Sequence, residues 1–410
     1  MNKYLKSIIF RDFLKLFSGK VSVQVLALIF YPLLTRLYSP EEFGQFGVFQ
    51  SSVVIFSVIV MGQLHQLLPN SRTKGSYDTA LVSSLSYIFL LFTLLLSFFA
   101  VSGDVLDSYY SGFQLIIPFA VLFYSLNEVC KIYYISQKEY SNNSVFLNIN
   151  RLSSNSLKLL FSNSLGLIYS EVIANFFSVT YLIKQKYPLL KGLDFNKRKI
   201  LQHIQQHITY PTFLTIGTLA TIGTIELPVF FLKSLFNSNV VGLYVVANKL
   251  SIQPFILLSG TLSSILHNKF VDEISEKGFN KRFYNKMILT LFLCGIPIVT
   301  TFNLFGPEII SFILGNKWNE IEPIISILSF MLLTKILYGP TLSYYLSRKK
   351  ITSISLVKAA ECLIIITVAS LHTFSDEIIF LKFFVIVEIL ADVLIILSAL
   401  ISINIKIDKS

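Results

Sequence analysis

Apolar residues along this chain occur in blocks of about 20, the length that an α-helix needs to cross the hydrocarbon core of a bilayer. A membrane β-barrel would instead have shorter segments of alternating hydrophobicity. The pattern therefore predicts membrane-spanning helices separated by short polar loops. We identify twelve predicted spans, at residues 14–36, 45–68, 79–101, 113–136, 143–163, 165–183, 209–232, 239–262, 283–303, 320–343, 353–373 and 378–401.

The composition supports an integral membrane protein. Of the 410 residues, 53% are hydrophobic and 14% are charged, whereas about a quarter of the residues in a soluble domain are charged. Three of the predicted spans, at 143–163, 165–183 and 320–343, are less uniform than the others. The polar residues that interrupt them are Asn148, Asn150, Arg151, Lys158, Glu171 and Lys335.

Positive charge is distributed unequally between the two sets of loops. Of 34 Lys and Arg residues, 24 fall in or next to the loops on one side, and the other side holds Arg36, Lys233 and Lys317. Cytoplasmic loops collect Lys and Arg, so both termini are expected in the cytoplasm. The apolar run near the N-terminus has no small-residue cleavage site and is expected to remain as the first span. The net charge of +11 thus needs no nucleic-acid partner.

The chain is expected to form two lobes. The longest cytoplasmic connection, residues 184–208, separates an N-terminal lobe at 1–183 from a C-terminal lobe at 209–410. His203 and His207 in this connection are four residues apart, a spacing that two metal ligands on a helix can use. Because no third ligand is nearby, a polar linker helix on the membrane surface is the favoured interpretation.

Two pairs of similar segments support a repeat of about 200 residues. YYISQKEYS at Tyr133–Ser141 aligns with YYLSRKKIT at Tyr344–Thr352, and RLYSPEEFGQF at Arg36–Phe46 aligns with SLFNSNVVGLY at Ser234–Tyr244. Each half has an even number of predicted spans, so equivalent helices cross the membrane in the same direction. In membrane transporters built from two such repeats, substrates usually bind between the repeats, and the two lobes expose the site to each side of the membrane in turn.

Several of these segments resemble a known family. LLTRLYSPEEFGQFGVFQSSVVIF, FGPEIISFILGNKWNEIEPIISILSFMLL at Phe305–Leu333 and VVGLYVVANKLS at Val240–Ser251 are similar to polysaccharide-biosynthesis flippases, the Wzx-type members of the MOP exporter superfamily. The resemblance runs from roughly residue 8 to residue 400. It implies an all-α, MATE-like membrane fold with about twelve helices in two parallel six-helix lobes around a central cavity.

The same resemblance implies a function in the bacterial cytoplasmic (inner) membrane. Such a protein turns an undecaprenyl-diphosphate-linked oligosaccharide from the cytoplasmic to the periplasmic leaflet by alternating access, for O-antigen or capsular polysaccharide. Its partners would be this cargo, membrane lipids, a polysaccharide polymerase and a chain-length regulator. The sequence leaves open the sugar composition of the cargo, the choice between O-antigen and capsule, the coupling ion and the oligomeric state.

A lipid-linked diphosphate needs cations inside the protein, because desolvated phosphate is best paired with Arg or Lys. Arg151 and Lys158 are seven residues, or two helical turns, apart and so project from the same side of their helix. Asn148 and Asn155 extend this polar stripe. The stripe is predicted to line the cavity; alternatively, the span is misplaced and these groups lie near a membrane surface.

Further cations fall within predicted spans, where a charge is costly and usually faces a cavity. Lys249 lies near the middle of its span and is expected to contact the substrate. Lys20 is a candidate on the same grounds, and Lys335 either faces the cavity or is neutralised by a glutamate. Lys358 and Lys382 lie closer to span ends, where they either extend to the interface or pair with carboxylates.

Three carboxylates in predicted spans are candidates for coupling transport to H⁺ or Na⁺. Glu226 precedes Pro228, a residue that bends helices by freeing a carbonyl group; pairing with a cavity cation is the alternative. Glu388 and Asp392 are four residues apart and share a helix face, either as a coupling dyad or as partners of Lys358 and Lys382. We expect no catalytic residue, no metal site and no cofactor beyond a coupling ion.

Two other functions share some of these features. A MATE-like multidrug or cation antiporter would have the same fold, but it would bind its cargo in an acidic cavity, whereas cations outnumber carboxylates within the predicted spans here. A membrane-embedded glycan polymerase or transferase would carry a large exported loop or an Asp-rich nucleotide site. The sequence contains no DxD pair, HExxH motif or Gly-rich phosphate loop, so it does not favour an enzyme.

Overall fold

The computed structural model describes residues 29–71, 73–102, 112–161, 165–276, 279–348, 350–371 and 374–405, with positions 26, 106, 109, 110 and 163. The regular elements of these residues are helices. They are α1 (29–37), α2 (Pro40–Met61), α3 (Lys74–Val101), α4 (Ile116–Ser136), α5 (Tyr140–Leu160), α6 (Gly166–Lys191), α7 (Lys197–Gln206), α8 (Thr215–Leu235), α9 (Ser238–Ser251), α10 (Gln253–Glu276), α11 (Lys281–Leu314), α12 (Glu322–Ser329), α13 (Met331–Ser347), α14 (Ile351–Leu371) and α15 (Glu377–Ile405).

Ten of the twelve predicted spans correspond to apolar helices in the described part of the chain. Eight are single helices, and two are bent pairs, Ser238–Ser251 with Gln253–Ser263 at 42° and Lys317–Ser329 with Met331–Ser347 at 45°. The span predicted at 14–36 lies mostly outside the described residues. The span predicted at 143–163 is the 21-residue helix α5, which is less apolar than the other ten because of its Asn, Arg and Lys residues.

The chain folds into two compact units. The first, the N-terminal unit, comprises Met1–Tyr38 and Gln45–Ile222, and the second, the C-terminal unit, comprises Ser39–Gly44 and Gly223–Ser410. The first turn of α2 therefore packs within the C-terminal unit, whereas the rest of this helix belongs to the N-terminal unit.

The two aligned segments YYISQKEYS and YYLSRKKIT form the same turn. The helix of the first ends at Ser136 and that of the second ends at the equivalent Ser347. In the first turn the Glu139 N–H donates to the Tyr134 carbonyl at 2.8 Å, and in the second the Lys350 N–H donates to the Tyr345 carbonyl at 2.9 Å. The backbone geometry thus supports the internal repeat that the sequence predicts.

The second pair of aligned segments also forms equivalent structures, because each begins a helix with a side-chain cap. At the start of α2, the Ser39 N–H donates to Glu42 Oε2 at 2.8 Å, and the Glu42 N–H donates back to Ser39 Oγ at 3.3 Å. At the start of α9, Asn237 Oδ1 accepts from the Val240 N–H at 3.0 Å. Such caps satisfy N–H groups that the helix itself leaves without partners.

Candidate substrate and ion sites

The polar face of α5 packs along α6 in the N-terminal unit. Residues 151, 155 and 158 recur every three or four positions, which places Arg151, Asn155 and Lys158 on one side of the helix. Asn155 and Lys158 are buried and Arg151 is half-buried. The predicted polar stripe therefore faces the interior of the unit to a large extent.

Lys158 forms a buried ion pair with Glu171 of α6. Its Nζ lies 2.7 Å from Glu171 Oε2, and the Ser154 hydroxyl donates to the same oxygen at 2.7 Å. The ammonium group also lies over the Phe46 ring, 4.6 Å from its centroid. Glu171 therefore neutralises Lys158 within the protein.

Arg151 adds a second positive charge beside the same carboxylate. Its guanidinium is close enough to Glu171 and to the Tyr31 hydroxyl to interact with both electrostatically. Arg151 Nε is buried, and no residue in the described part of the chain accepts its hydrogen bond. Two cations thus lie beside one carboxylate, and the Arg151 Nε–H has no acceptor among the described residues.

An amide cluster next to this site was not predicted from sequence. Asn127 Nδ2 of α4 donates to Asn175 Oδ1 of α6 at 3.2 Å, and Asn150 Nδ2 of α5 donates to the same oxygen at 3.1 Å and to Ser178 Oγ at 2.8 Å. Polar amides within apolar spans are a sequence signal that could have identified it. Its hydrogen bonds connect α4, α5 and α6.

In the C-terminal unit, two lysines and three carboxylates form a buried ion cluster between α13, α14 and α15. The Lys335 ammonium is bonded to Glu388 and lies 2.9 Å from Asp392 Oδ2. Lys358 Nζ lies 2.9 Å from Glu361 Oε2, 3.1 Å from Glu388 Oε1 and 2.9 Å from Asp392 Oδ1. We use the name "ion cluster" for these five residues below.

The ion cluster shows which groups are the partners of several predicted residues. Glu388 and Asp392 do share a face of α15, and their partners are Lys335 and Lys358. Lys358 is 3% exposed and does not extend to the interface, whereas Lys382 is exposed. Glu361 was absent from the predicted site, although its position three residues after Lys358 signals a pair on one helix.

Of the remaining predicted residues, Glu226 and Lys249 are not members of these two groups. Glu226 of α8 is half-buried near Tyr244 of α9, which is also near Glu388. Lys249 lies in the last turn of α9, directly before the 42° bend, where the carbonyl end of a helix favours a cation. Lys20 lies outside the described residues.

The His203 and His207 rings lie 4.7 Å apart at the end of α7. Partial burial and the neighbouring His207 lower the pKa of His203. No group of three or more His, Cys, Asp or Glu residues in the described ranges is arranged to hold a metal ion. The pair therefore has no third ligand among these residues.

Comparisons with known proteins agree with this architecture. Residues 33–323 match the profile of a family described as polysaccharide biosynthesis protein. No curated protein sequence matches the chain. Among solved structures, the lipid II flippase MurJ in an inward closed conformation superposes with a TM-score of 0.73 at 14% identity, covering 95% of this chain and 89% of MurJ.

Two further structures belong to the MOP superfamily. A transporter from Pyrococcus furiosus, described as having a binding pocket of reversed polarity, gives a TM-score of 0.65 at 13% identity, with 96% of this chain and 95% of that chain covered. An inward-facing multidrug resistance MATE transporter gives 0.60 at 14% identity, with coverage of 94% and 98%. At such low identity the likeness establishes the fold, which is that of MOP transporters with several membrane-spanning helices.

Proposed function

The chain belongs to the polysaccharide biosynthesis protein family, and on this premise we propose that it is a Wzx-type flippase. Its cargo would be an undecaprenyl-diphosphate-linked oligosaccharide, moved from the cytoplasmic to the periplasmic leaflet of the inner membrane by alternating access. The product would enter O-antigen or capsule synthesis, with a polymerase and a chain-length regulator as partners. Both termini would lie in the cytoplasm, as the distribution of Lys and Arg between loops indicates.

The observation that carries the proposal is the pair of cations on one face of α5. Lys158 and Arg151 both lie beside Glu171 in the N-terminal unit, and charged side chains within the spans of membrane proteins usually serve a function. A diphosphate, with roughly two negative charges, would complete this group. The buried Arg151 Nε, which lacks an acceptor among the described residues, supports Arg151 as the first contact because a guanidinium binds phosphate with two parallel hydrogen bonds.

Lys158 and Lys249 are proposed as further contacts of the diphosphate or sugars, and Lys20 remains a candidate. Lys335 is engaged by Glu388 and Asp392, so we now assign it to the ion cluster. Glu388 and Asp392, with Glu226 nearby through Tyr244, are proposed to couple transport to an ion. A conformational change can be driven by an ion when the ion binds the two conformations with different affinity.

Gene deletion followed by complementation tests this function. Deletion is expected to abolish delivery of repeat units to the periplasm and to leave the lipid-linked units accessible from the cytoplasmic side. Arg151→Ala is expected to fail in restoring delivery, Arg151→Lys to restore it in part, and Lys158→Ala to impair it. The matched control is Lys382→Ala, which removes an exposed cation from α15 and should restore delivery fully at equal protein levels.

Two results would contradict the proposal. If Arg151→Ala and Lys158→Ala both restore normal delivery, the cationic face of α5 does not bind the cargo. If deletion leaves the surface glycan unchanged and increases sensitivity to organic cations, the chain is a drug exporter with the same fold.

A further inference from the structure

The charges of the ion cluster do not balance. Its two ammonium groups, on Lys335 and Lys358, contact three carboxylates, on Glu361, Glu388 and Asp392. Glu361 and Glu388 are each 2% exposed and Asp392 is fully buried. Burial of an unneutralised charge is costly. With all five groups ionised, the cluster would carry such a charge.

The excess negative charge of the ion cluster lies at the Glu361 and Glu388 carboxyl groups. The Glu361 and Glu388 carboxyl groups are within hydrogen-bonding reach of each other. Among the described residues, Glu361 Oε1 and Glu388 Oε2 have no hydrogen-bond donor, and Glu361 Oε2 has only the Lys358 ammonium beside it. Two ionised carboxylates can only accept hydrogen bonds, and their like charges repel each other when they lie side by side. One added proton makes one of them a donor and removes the excess charge.

We infer that Glu361 and Glu388 hold a single shared proton, which makes this carboxyl pair a proton-binding site of the C-terminal unit. With this proton the cluster has two positive and two negative charges, and one oxygen of each carboxyl group takes part in a hydrogen bond. Without Glu361, two lysines would balance two carboxylates. Glu361 adds the third carboxylate and therefore makes the cluster able to take up and release a proton.

The position of Lys358 favours a proton over Na⁺. Its ammonium lies within 2.9–3.1 Å of all three carboxylates, so it occupies the place between them where a metal ion would sit. Na⁺ would have to displace this lysine. A proton needs no such space because it binds to an oxygen that is already present.

Among the described residues, the groups next to the carboxyl pair outside the ion cluster supply no further positive charge. They include Tyr338 of α13, whose ring centroid lies 5.7 Å from Lys358 Nζ, Cys362 beside Glu361 on α14, and Tyr244 of α9 near Glu388. Glu226 of α8, which is near Tyr244, adds a further carboxylate to the surroundings. The hydroxyl and thiol groups are neutral, so the added proton remains the balancing charge.

The role of this proton in driving transport rests on the proposed function. The existence of the proton site does not depend on that function. Loss of the proton leaves one negative charge without a partner in the interior of the C-terminal unit. The protonated cluster therefore favours the helix arrangement described here, and its deprotonation favours a different one. Uptake and release of the proton would thereby drive the change between conformations.

Infrared spectroscopy of the purified full-length protein tests the proton site without a transport assay. At neutral pH the wild type is expected to have the stretching band of a buried protonated carboxyl group, shifted in D₂O. Glu361→Gln should lose this band while retaining the fold, because the amide is neutral and can donate to Glu388. Glu320→Gln, at an exposed position, is the control and should keep it.

Absence of the band from the wild type at neutral pH would overturn the inference even if a variant failed to fold. Its persistence in folded Glu361→Gln would also overturn it, and its loss on addition of NaCl at constant pH would assign the site to Na⁺. Coupling is tested separately in the deletion strain, where Glu361→Gln should fail to restore delivery and Glu320→Gln should restore it. A band in the wild type with normal delivery by Glu361→Gln would keep the proton site and reject its coupling role.

Discussion

Gly44 of α2 and Gly242 of α9 lie at a helix crossing so close that neither position has room for a side chain. A methyl group added to Gly44 would lie 1.7 Å from the Ser238 carbonyl oxygen, and one added to Gly242 would lie 1.7 Å from the Pro40 carbonyl oxygen. Gly44 aligns with Gly242 in the internal repeat, and Pro40 aligns with Ser238. The contact is thus reciprocal, as small residues at membrane helix crossings allow.

The first prediction concerns this crossing. Gly44→Ala and Gly242→Ala should each destabilise the protein by about 1–3 kcal/mol, because the added carbon collides with backbone atoms that cannot turn aside. Alanine in place of a helix-interior glycine otherwise stabilises by about 0.5–1 kcal/mol. Thermal unfolding of the purified variants measures the difference.

Gly260→Ala is the control for the glycine variants. A Cβ added at Gly260, in the interior of α10, meets no heavy atom of the described residues within 4 Å, so this substitution should leave the melting temperature unchanged or raise it. Equal melting temperatures for all three variants would mean that the two backbones are farther apart than described.

The second prediction concerns the end of α5. The Tyr38 hydroxyl lies 2.7 Å from the Lys158 carbonyl and also contacts the Phe161 carbonyl. Carbonyl groups at a helix C-terminus lack partners within the helix. Tyr38→Phe should therefore lower the free energy of unfolding by about 1 kcal/mol. Tyr169→Phe, at a 41% exposed position, should have no effect, and an equal effect of both would contradict a specific cap.

The third prediction concerns Lys358 in the ion cluster. Lys358→Met removes one positive charge and leaves buried carboxylates without a partner, which should cost about 3–5 kcal/mol. Combining it with Asp392→Asn restores the charge balance, so the double variant should be more stable than Lys358→Met alone. Chemical or thermal unfolding of the single and double variants measures this coupling.

Lys382→Met is the matched control for Lys358→Met, because Lys382 is an exposed lysine of the same unit. It should change stability little, since exposed charges contribute little. If the double variant is less stable than Lys358→Met alone, the charges of Lys358 and Asp392 do not balance each other.

The fourth prediction concerns how the stability contributed by the ion pair between Glu139 and Lys186 of α6 depends on pH. Lys186 Nζ donates to Glu139 Oε1 at 2.7 Å, and Asn142 Nδ2 donates to Oε2 at 2.7 Å. Partial burial raises the pKa of Glu139, but these hydrogen bonds and the charge of Lys186 outweigh it and hold the pKa below its ordinary range. The stabilisation is thus present at neutral pH and is lost as the pH falls through the carboxyl range.

Melting temperatures of wild type and Glu139→Gln across the acidic range test this. The wild type should be the more stable at neutral pH, and the difference should disappear on acidification. Asp194→Asn is the control, because the pair of Asp194 with Lys199 is about two-thirds exposed, at 62% and 63%, and should contribute little at any pH. A difference that grows on acidification would contradict the direction of the shift.

Spacing along single helices predicted which charged residues share a helix face. The seven-residue interval between Arg151 and Lys158 and the four-residue interval between Glu388 and Asp392 place each pair on one face, because an α-helix repeats every 3.6 residues. Spacing along one helix left the partners of these faces open. Glu171 reaches Lys158 from α6, and Lys335 reaches Glu388 from α13, so each pairing depends on how two helices are rotated and aligned against each other.

The sequence by itself determined the apolar helical spans, the repeated turns at Ser136 and Ser347 and the faces that carry charge. These features follow from local periodicity and from residues close in the chain, so the contacts of one helix are enough to define them. The tertiary structure alone decided that Lys158 is paired while Arg151 Nε lacks an acceptor among the described residues, and that Glu361 adds a third carboxylate to two lysines. The balance of charge inside a membrane protein depends on how its helices pack. Packing decides which charged side chains are buried next to each other, and the sequence of one helix does not contain that information.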